Sequence, residues 1–277
     1  MRIESERGDN LSLSGERRTP SRARSLTFLL FLAAFSILVL GPVAATSVPI
    51  DVSGTWAEMQ VYPEFSTLPL VGEVARTSTV LLLVTMEQTG SSLIMRETYC
   101  STKIDNGTAI ASTTIPTSFL RSLAQTAKPA SLDASETTTR FTQPWYTEVR
   151  GARLDDPERD ALPTDAGDPR VFDQDGDGKP GLTVHVSALV IFTGDVYVVQ
   201  RVRYRLEGVV VTPDRIEGLI EWTTEQVTLG ATSSLFEGEL PGRPDPVPAH
   251  SFFVLQRIDP SWDCRALLAH WEAIFGQ

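Results

Sequence analysis

The stretch Asp173-Gln174-Asp175-Gly176-Asp177-Gly178-Lys179-Pro180-Gly181 sets three aspartates at alternate positions. Carboxylates crowded in this way repel one another unless a cation sits between them. A hard divalent ion with oxygen ligands is the natural counter-charge, which points to calcium. The intervening glycines let the chain bend sharply. Asp173, Asp175 and Asp177 are the side-chain ligands, and Lys179 supplies its backbone carbonyl. Asp168, with Asp165 behind it, is the candidate for a further ligand; water is the other source. The expected role is structural, since extracellular calcium keeps such a site filled. An acidic turn without an ion is the competing reading.

The loop resembles an EF-hand, with Asp173, Asp175 and Asp177 at its first, third and fifth positions. Gly178 falls at the sharp turn and Lys179 at the carbonyl position. Gly181 and Val184 stand at the ninth and twelfth, so the bidentate Glu is absent. The run more closely resembles the calcium loops of exported repeat proteins of the thrombospondin type 3 kind. Both resemblances cover this loop alone and imply calcium. Gly176, Gly178 and Gly181 also spell G-x-G-x-x-G. Pro180 would break the helix a dinucleotide needs, and the aspartates would repel its pyrophosphate.

Other chemistry is sparse. His185, His250 and His270 have no metal spacing, and no nucleophile or zinc motif occurs. No catalytic and no cofactor-binding residue is assigned. The segment Gly151–Arg170 is an acidic loop holding Asp155, Asp156, Glu158, Asp160, Asp165 and Asp168. A loop of this length usually has a task or a bound ion. Its carboxylates keep one enzymatic reading open, a secreted calcium-dependent hydrolase using a pair of acids.

Something must carry these residues to their place. Arg17, Arg18, Arg22 and Arg24 precede the apolar run Leu26 to Leu40, and Val43-Ala44-Ala45 offers small residues for cleavage. Residues 1–45 therefore read as a signal peptide and 46–277 as one β domain, secreted or periplasmic. An uncleaved leader is the alternative and would be the only membrane link. The formal charge of −11 disfavours nucleic acid and anionic membranes as partners. Cys100 and Cys264 are the only cysteines, and in an oxidising compartment a lone pair predicts a disulfide.

Period-two alternation dominates the rest. Strands are expected from Trp56 to about Tyr62, Thr79 to Glu87, Leu93 to Lys103, Phe141 to Val149 and Leu182 to Phe192. Others follow at Val196 to Val211, Arg215 to Leu229 and Ser251 to Ile258. The strand at Thr79 is apolar on both faces, so both should be covered. Asn106-Gly107 predicts a tight hairpin returning as Thr108 to Thr114. Thr193-Gly194-Asp195 predicts another turn. The long hairpin has an arguable register: Arg205 opposite Glu221, Arg201 opposite Glu225 and Tyr204 opposite Trp222. A shift by two would oppose Glu207 and Glu221. A short helix is predicted from Pro116 to Pro129, with Phe119, Leu120, Leu123 and Ala127 on one face. A second opens with Asp259 as cap and Pro260 first, its stripe being Cys264, Leu267, Leu268, Trp271 and Ile274, and Gly276 ends it. The fold class is mainly β: an antiparallel meander closed into a barrel, or alternatively a two-sheet sandwich, with one short internal and one C-terminal helix.

Gly54-Thr55-Trp56 on the first strand, followed by a meander and a late helix, resembles the lipocalin or calycin family. The resemblance implies that Trp56 packs near Arg257 on the last strand, and that an early strand is tied to the C-terminal segment. It also implies an interior that takes a small ligand. The functional expectation is thus a non-enzymatic exported protein binding a small ligand or an envelope partner. The hydrolase and a purely structural envelope protein are the alternatives.

Overall fold

A computed structural model describes residues 50–68, 70–238 and 242–276, all within the unit Thr46–Gln277. The expected leader lies outside the described residues. Eleven strands form one antiparallel sheet rather than the two of a sandwich. In chain order they are β1 (Gly54–Leu68), β2 (Gly72–Thr89), β3 (Ser92–Asp105), β4 (Ala111–Thr114), β5 (Ala127–Ala134) and β6 (Thr139–Arg150). There follow β7 (Leu182–Ala188), β8 (Phe192–Thr212), β9 (Arg215–Ala231), β10 (Gly242–Pro244) and β11 (Phe252–Arg257). Two α-helices are α1 (Thr117–Ser122) and α2 (Cys264–Phe275).

Eight of the strands pair in a ring: β1, β2, β3, β5, β6, β8, β9, β11 and back to β1. A ring leaves its members no free edge, the usual solution for a meander. The apolar alternation sets which side chains point inward. Trp56, Val84, Met86, Leu93, Met95, Phe141, Leu206, Phe253 and Leu255 fill one end as a dense core. The opposite face of β1 and β2 buries Ala57, Met59 and Leu81 under Leu267 and Phe275 of α2. That is why β2 is apolar on both faces.

The β8–β9 register is the predicted one: Arg205 faces Glu221, Arg201 faces Glu225 and Tyr204 faces Trp222. At the hairpin end, where this register would set Val211 opposite Arg215, an irregularity pairs Thr212 with Arg215 and leaves Val211 out. In β3 a bulge makes Cys100 the extra residue between Tyr99 and Ser101. The bulge turns its side chain outward, and Cys100 is disulfide-bonded to Cys264 at the start of α2.

Several boundaries move. The segment from Thr108 does not return on β3; β4 pairs with β7, because a local Asn-Gly signal loses to a distant strand edge. The helix ends at Ser122, and Ala127 with Pro129 begins β5, where Lys128, Ala130 and Leu132 alternate inward. β7 stops at Ala188, so its turn is Leu189–Ile191 rather than Thr193–Asp195. β1 runs through Pro63 to Leu68 instead of ending at Tyr62. α2 begins at Cys264, capped by Asp263, whose side chain accepts from the Ala266 amide at 2.8 Å. Asp259 instead binds Ser261 in the preceding turn. Leu268 faces outward, and Phe275 takes a place in the buried stripe.

Candidate functional site

β6 leaves the ring at Arg150 and the chain returns as β7, which pairs with the other end of the same β8 strand. The excursion 151–181 between them closes on itself. Gly151 and Gly181 both have positive φ, and a Cβ on Gly181 would lie 2.3 Å from the Val198 carbonyl oxygen. Only glycine fits there. Ala152 and Leu162 pack on Val199 outside the ring, and Arg201 donates to the Asp160 carbonyl. The acidic loop is therefore pinned to the sheet by an apolar clasp and an arginine.

At its end the three aspartates meet. One carboxylate oxygen from each of Asp173, Asp175 and Asp177 lies within 4.8 Å of the others, and the group could hold a metal ion. The loop is shaped by its own acids. Asp173 accepts from the amides of Gly176 at 2.8 Å, Asp177 at 3.2 Å and Gly178 at 2.8 Å. Asp177 accepts from the Lys179 amide at 2.8 Å and from the Thr183 hydroxyl at 2.5 Å. Gly176 and Gly178 take the positive φ that the bend demands. Asp175 Oδ1 is buried with no hydrogen-bond partner among the described residues. Burial, with Asp177 and Asp173 adding repulsion, raises the Asp175 pKa. An orphaned oxygen between two like charges is what a cation would satisfy, so the residues fit the calcium expectation.

Asp168 does not join the three. Arg170 takes both of its oxygens, at 2.7 and 3.0 Å, and holds its pKa down at about 2. Asp165 turns to the Gly167 amide.

The ring interior holds a second candidate, which is layered. Beyond the filled Trp56 end lies a sealed polar layer of Glu58, Gln60, Glu97, Lys128, Gln143 and Tyr204. Lys128 pairs with Glu97 and donates to the Tyr204 hydroxyl, and its Nζ lies 4.6 Å from the Tyr146 ring centroid. Burial works to neutralise Lys128, but the Glu97 carboxylate outweighs it and raises its pKa. Among the described residues Glu58 has no cation bonded to it: Gln60 donates to its Oε1 at 2.7 Å, and its Oε2 is unpartnered. Burial, then repulsion from Glu97, pushes Glu58 up to about 8, so it carries a proton at neutral pH. Above it, Arg150 pairs with Glu148 at 2.7 Å and donates to the Tyr99 hydroxyl at 3.3 Å.

Past this layer the ring is hollow, with a cavity of about 350 Å³. Gln60, Tyr62, Tyr99, Arg150 and Tyr204 lie on its polar side, and Val184, Val196, Val198, Phe119 and Leu123 on an apolar one. None of its lining residues comes from Gly151–Arg170, so the acids of that loop have no access to it. An empty apolar cavity around Trp56 would have supported the ligand-binding expectation. That place is packed solid instead, because the aromatic and methionine side chains of β2, β3, β6 and β11 meet there. The polar layer was missed as well. Glu58, Gln60 and Tyr62 at alternate positions of β1 were its one sequence signal, reading as solvent-facing when they face the lumen.

Trp56 is nevertheless close to Arg257. The guanidinium lies 4.6 Å from the indole centroid and donates to Asp51 and Ser53 carbonyls across Gly54. A Cβ on Gly54 would stand 2.8 Å from Arg257 Nη1.

Comparison with protein-family models, curated proteins and solved structures finds no match.

Proposed function

We propose that the protein is an exported, calcium-binding β-barrel of lipocalin-like build that holds a small ligand inside the ring. The single observation that carries this reading is the half-filled interior. A protein stabilised only by its core has no use for a 350 Å³ hollow, because interiors otherwise pack to crystal density. Ligand pockets combine apolar walls with placed polar groups, and both kinds of residue line this hollow. The Arg257 guanidinium against Trp56 supports the lipocalin resemblance. Export rests on the leader reading of residues 1–45 and on the Cys100–Cys264 bridge, which persists in oxidising compartments. Among the described residues no helix is long and apolar enough to cross a membrane.

Calcium is assigned to Asp173, Asp175 and Asp177. It would hold the 151–181 excursion closed and so fix where β7 begins. The ion supplies charge neutralisation only; the ligand site is made by side chains within the ring.

The test is a titration with the apolar fluorophore N-phenyl-1-naphthylamine. Saturable one-to-one binding that Thr224→Trp abolishes, with the melting temperature retained, is expected, since Thr224 lines the cavity. Binding that Thr224→Trp leaves unchanged would place the fluorophore elsewhere and defeat the reading.

A further inference from the structure

The hairpin joining β7 to β8 ends in four consecutive apolar residues. Ala188 pairs with Phe192, and Leu189, Val190 and Ile191 form the tip. Hairpin tips normally carry Gly, Asn or Asp, because the turn needs positive φ. Here Leu189 and Val190 take φ of 51° and 66°, a costly conformation for a β-branched residue. The cost gains no burial: Val190 is 67% and Ile191 76% exposed. Ile110 comes alongside, its carbonyl accepting from the Val190 amide at 3.3 Å, and it is exposed too.

The two segments that meet there carry no charge of their own. No Asp, Glu, Lys, Arg or His occurs from Asn106 to Leu120, nor from Val186 to Gly194. In a chain of net charge −11 these are two uncharged segments, and the first charges along the hairpin are the paired His185 and Asp195, three residue pairs below Ala188 and Phe192. A solvated loop would not need to exclude charge; a segment that enters an apolar phase must. The shape selects the phase. The tip is a turn whose successive residues Leu189, Val190 and Ile191 are all exposed. A protein groove would cover one side of it, whereas acyl chains surround an inserted tip. The acidic body excludes an anionic surface.

We propose that the Leu189–Phe192 tip, with Ile110, docks the protein on a zwitterionic lipid surface by inserting into it. The tip stands at the hollow end of the ring, since Ser187, Ala188, Ser112 and Thr113 beside it line the cavity. Docking would therefore present that end to the lipid. The proposal stands on the tip alone and does not depend on what the cavity holds.

The experiment labels Ile191→Cys in the full chain with an environment-sensitive nitrobenzoxadiazole dye. Cys100 and Cys264 are bonded to each other, so the new thiol is the one that reacts. Glu136→Cys, on the β5–β6 turn at the filled end, is the control. Phosphatidylcholine vesicles are expected to raise emission at position 191 severalfold with a blue shift, and to leave position 136 unchanged. Adding Val190→Asp should weaken vesicle affinity about tenfold. An equal response at both positions, or none at 191, overturns the proposal. So does a response at 191 that follows protein concentration without lipid, which would make the tip a contact between copies of this chain.

Discussion

Gln174 reaches out of the aspartate loop and donates its Nε2 to the Ser122 carbonyl, 3.2 Å away at the end of α1. Its Oε1 accepts from the Gly151 amide at 2.6 Å. One side chain thus joins the candidate calcium loop, the exit of β6 and the helix that supplies Phe119 and Leu123 to the cavity wall. Thr183, held by Asp175 and Asp177, makes a second link through the start of β7. If the loop loosens, two walls of the cavity loosen with it. Chelation should therefore weaken N-phenyl-1-naphthylamine binding, and Gln174→Ala should weaken it with calcium present. Fluorescence titrations in calcium and in chelator check both.

The loop also has a stability signature. Calcium is expected to raise the melting temperature, because an ion that binds only the folded chain stabilises it by mass action, about 2.7 kcal/mol at a hundredfold excess over its dissociation constant. Changing Asp173, Asp175 and Asp177 together to Asn should abolish the calcium-dependent rise. Calorimetry with and without chelator reads the difference.

Glu58 predicts a pH dependence of the opposite sign to that of a salt-bridged acid. Its folded pKa is pushed up to about 8 by burial and by Glu97, while an unfolded Glu titrates near 4.3. Between those values the folded chain holds a proton that the unfolded chain has released. Stability therefore falls as pH rises from about 5 to about 8, by an amount on the order of a few kcal/mol. Glu58→Gln keeps the shape without the titration and should flatten this slope. Urea melts of both proteins across that window test it.

The bulge at Cys100 predicts a long-range staple. The Cys100–Cys264 bridge closes a separation of 164 residues, which the chain-entropy model puts at about 5 kcal/mol or somewhat less. It fastens α2 over Ala57, Met59 and Leu81. The double change Cys100→Ser with Cys264→Ser should lower stability by roughly 2–5 kcal/mol. Non-reducing peptide mapping of the unaltered protein should recover the two cysteines as one linked pair.

Legibility followed the range of each signal. Alternation placed most strands, and the Arg201–Glu225 and Arg205–Glu221 pairs set the register of β8 and β9, because opposed charges constrain partners directly. The aspartate loop was readable because all its acids are neighbours in sequence. Local turn signals misled where a distant edge competed, as at Asn106-Gly107, where β4 crosses to β7. The apolar turn at Leu189–Ile191 hid because nothing in its residues asks for a turn. The polar layer was invisible for a different reason. Glu58, Glu97 and Lys128 are far apart in the chain, and each alone reads as an outward-facing charge. Pairing of β3 with β5 sets Glu97 beside Lys128, and ring closure turns that pair and Glu58 into one interior.

A calcium-clamped container for one small molecule should show both its ion and its guest by mass. Native mass spectrometry of the protein in calcium tests it most directly. The expected spectrum has a mass one calcium above the polypeptide, a further single adduct on adding N-phenyl-1-naphthylamine, and loss of both on chelation. A bare polypeptide mass in calcium, with fluorophore adducts that chelator leaves untouched, would contradict it.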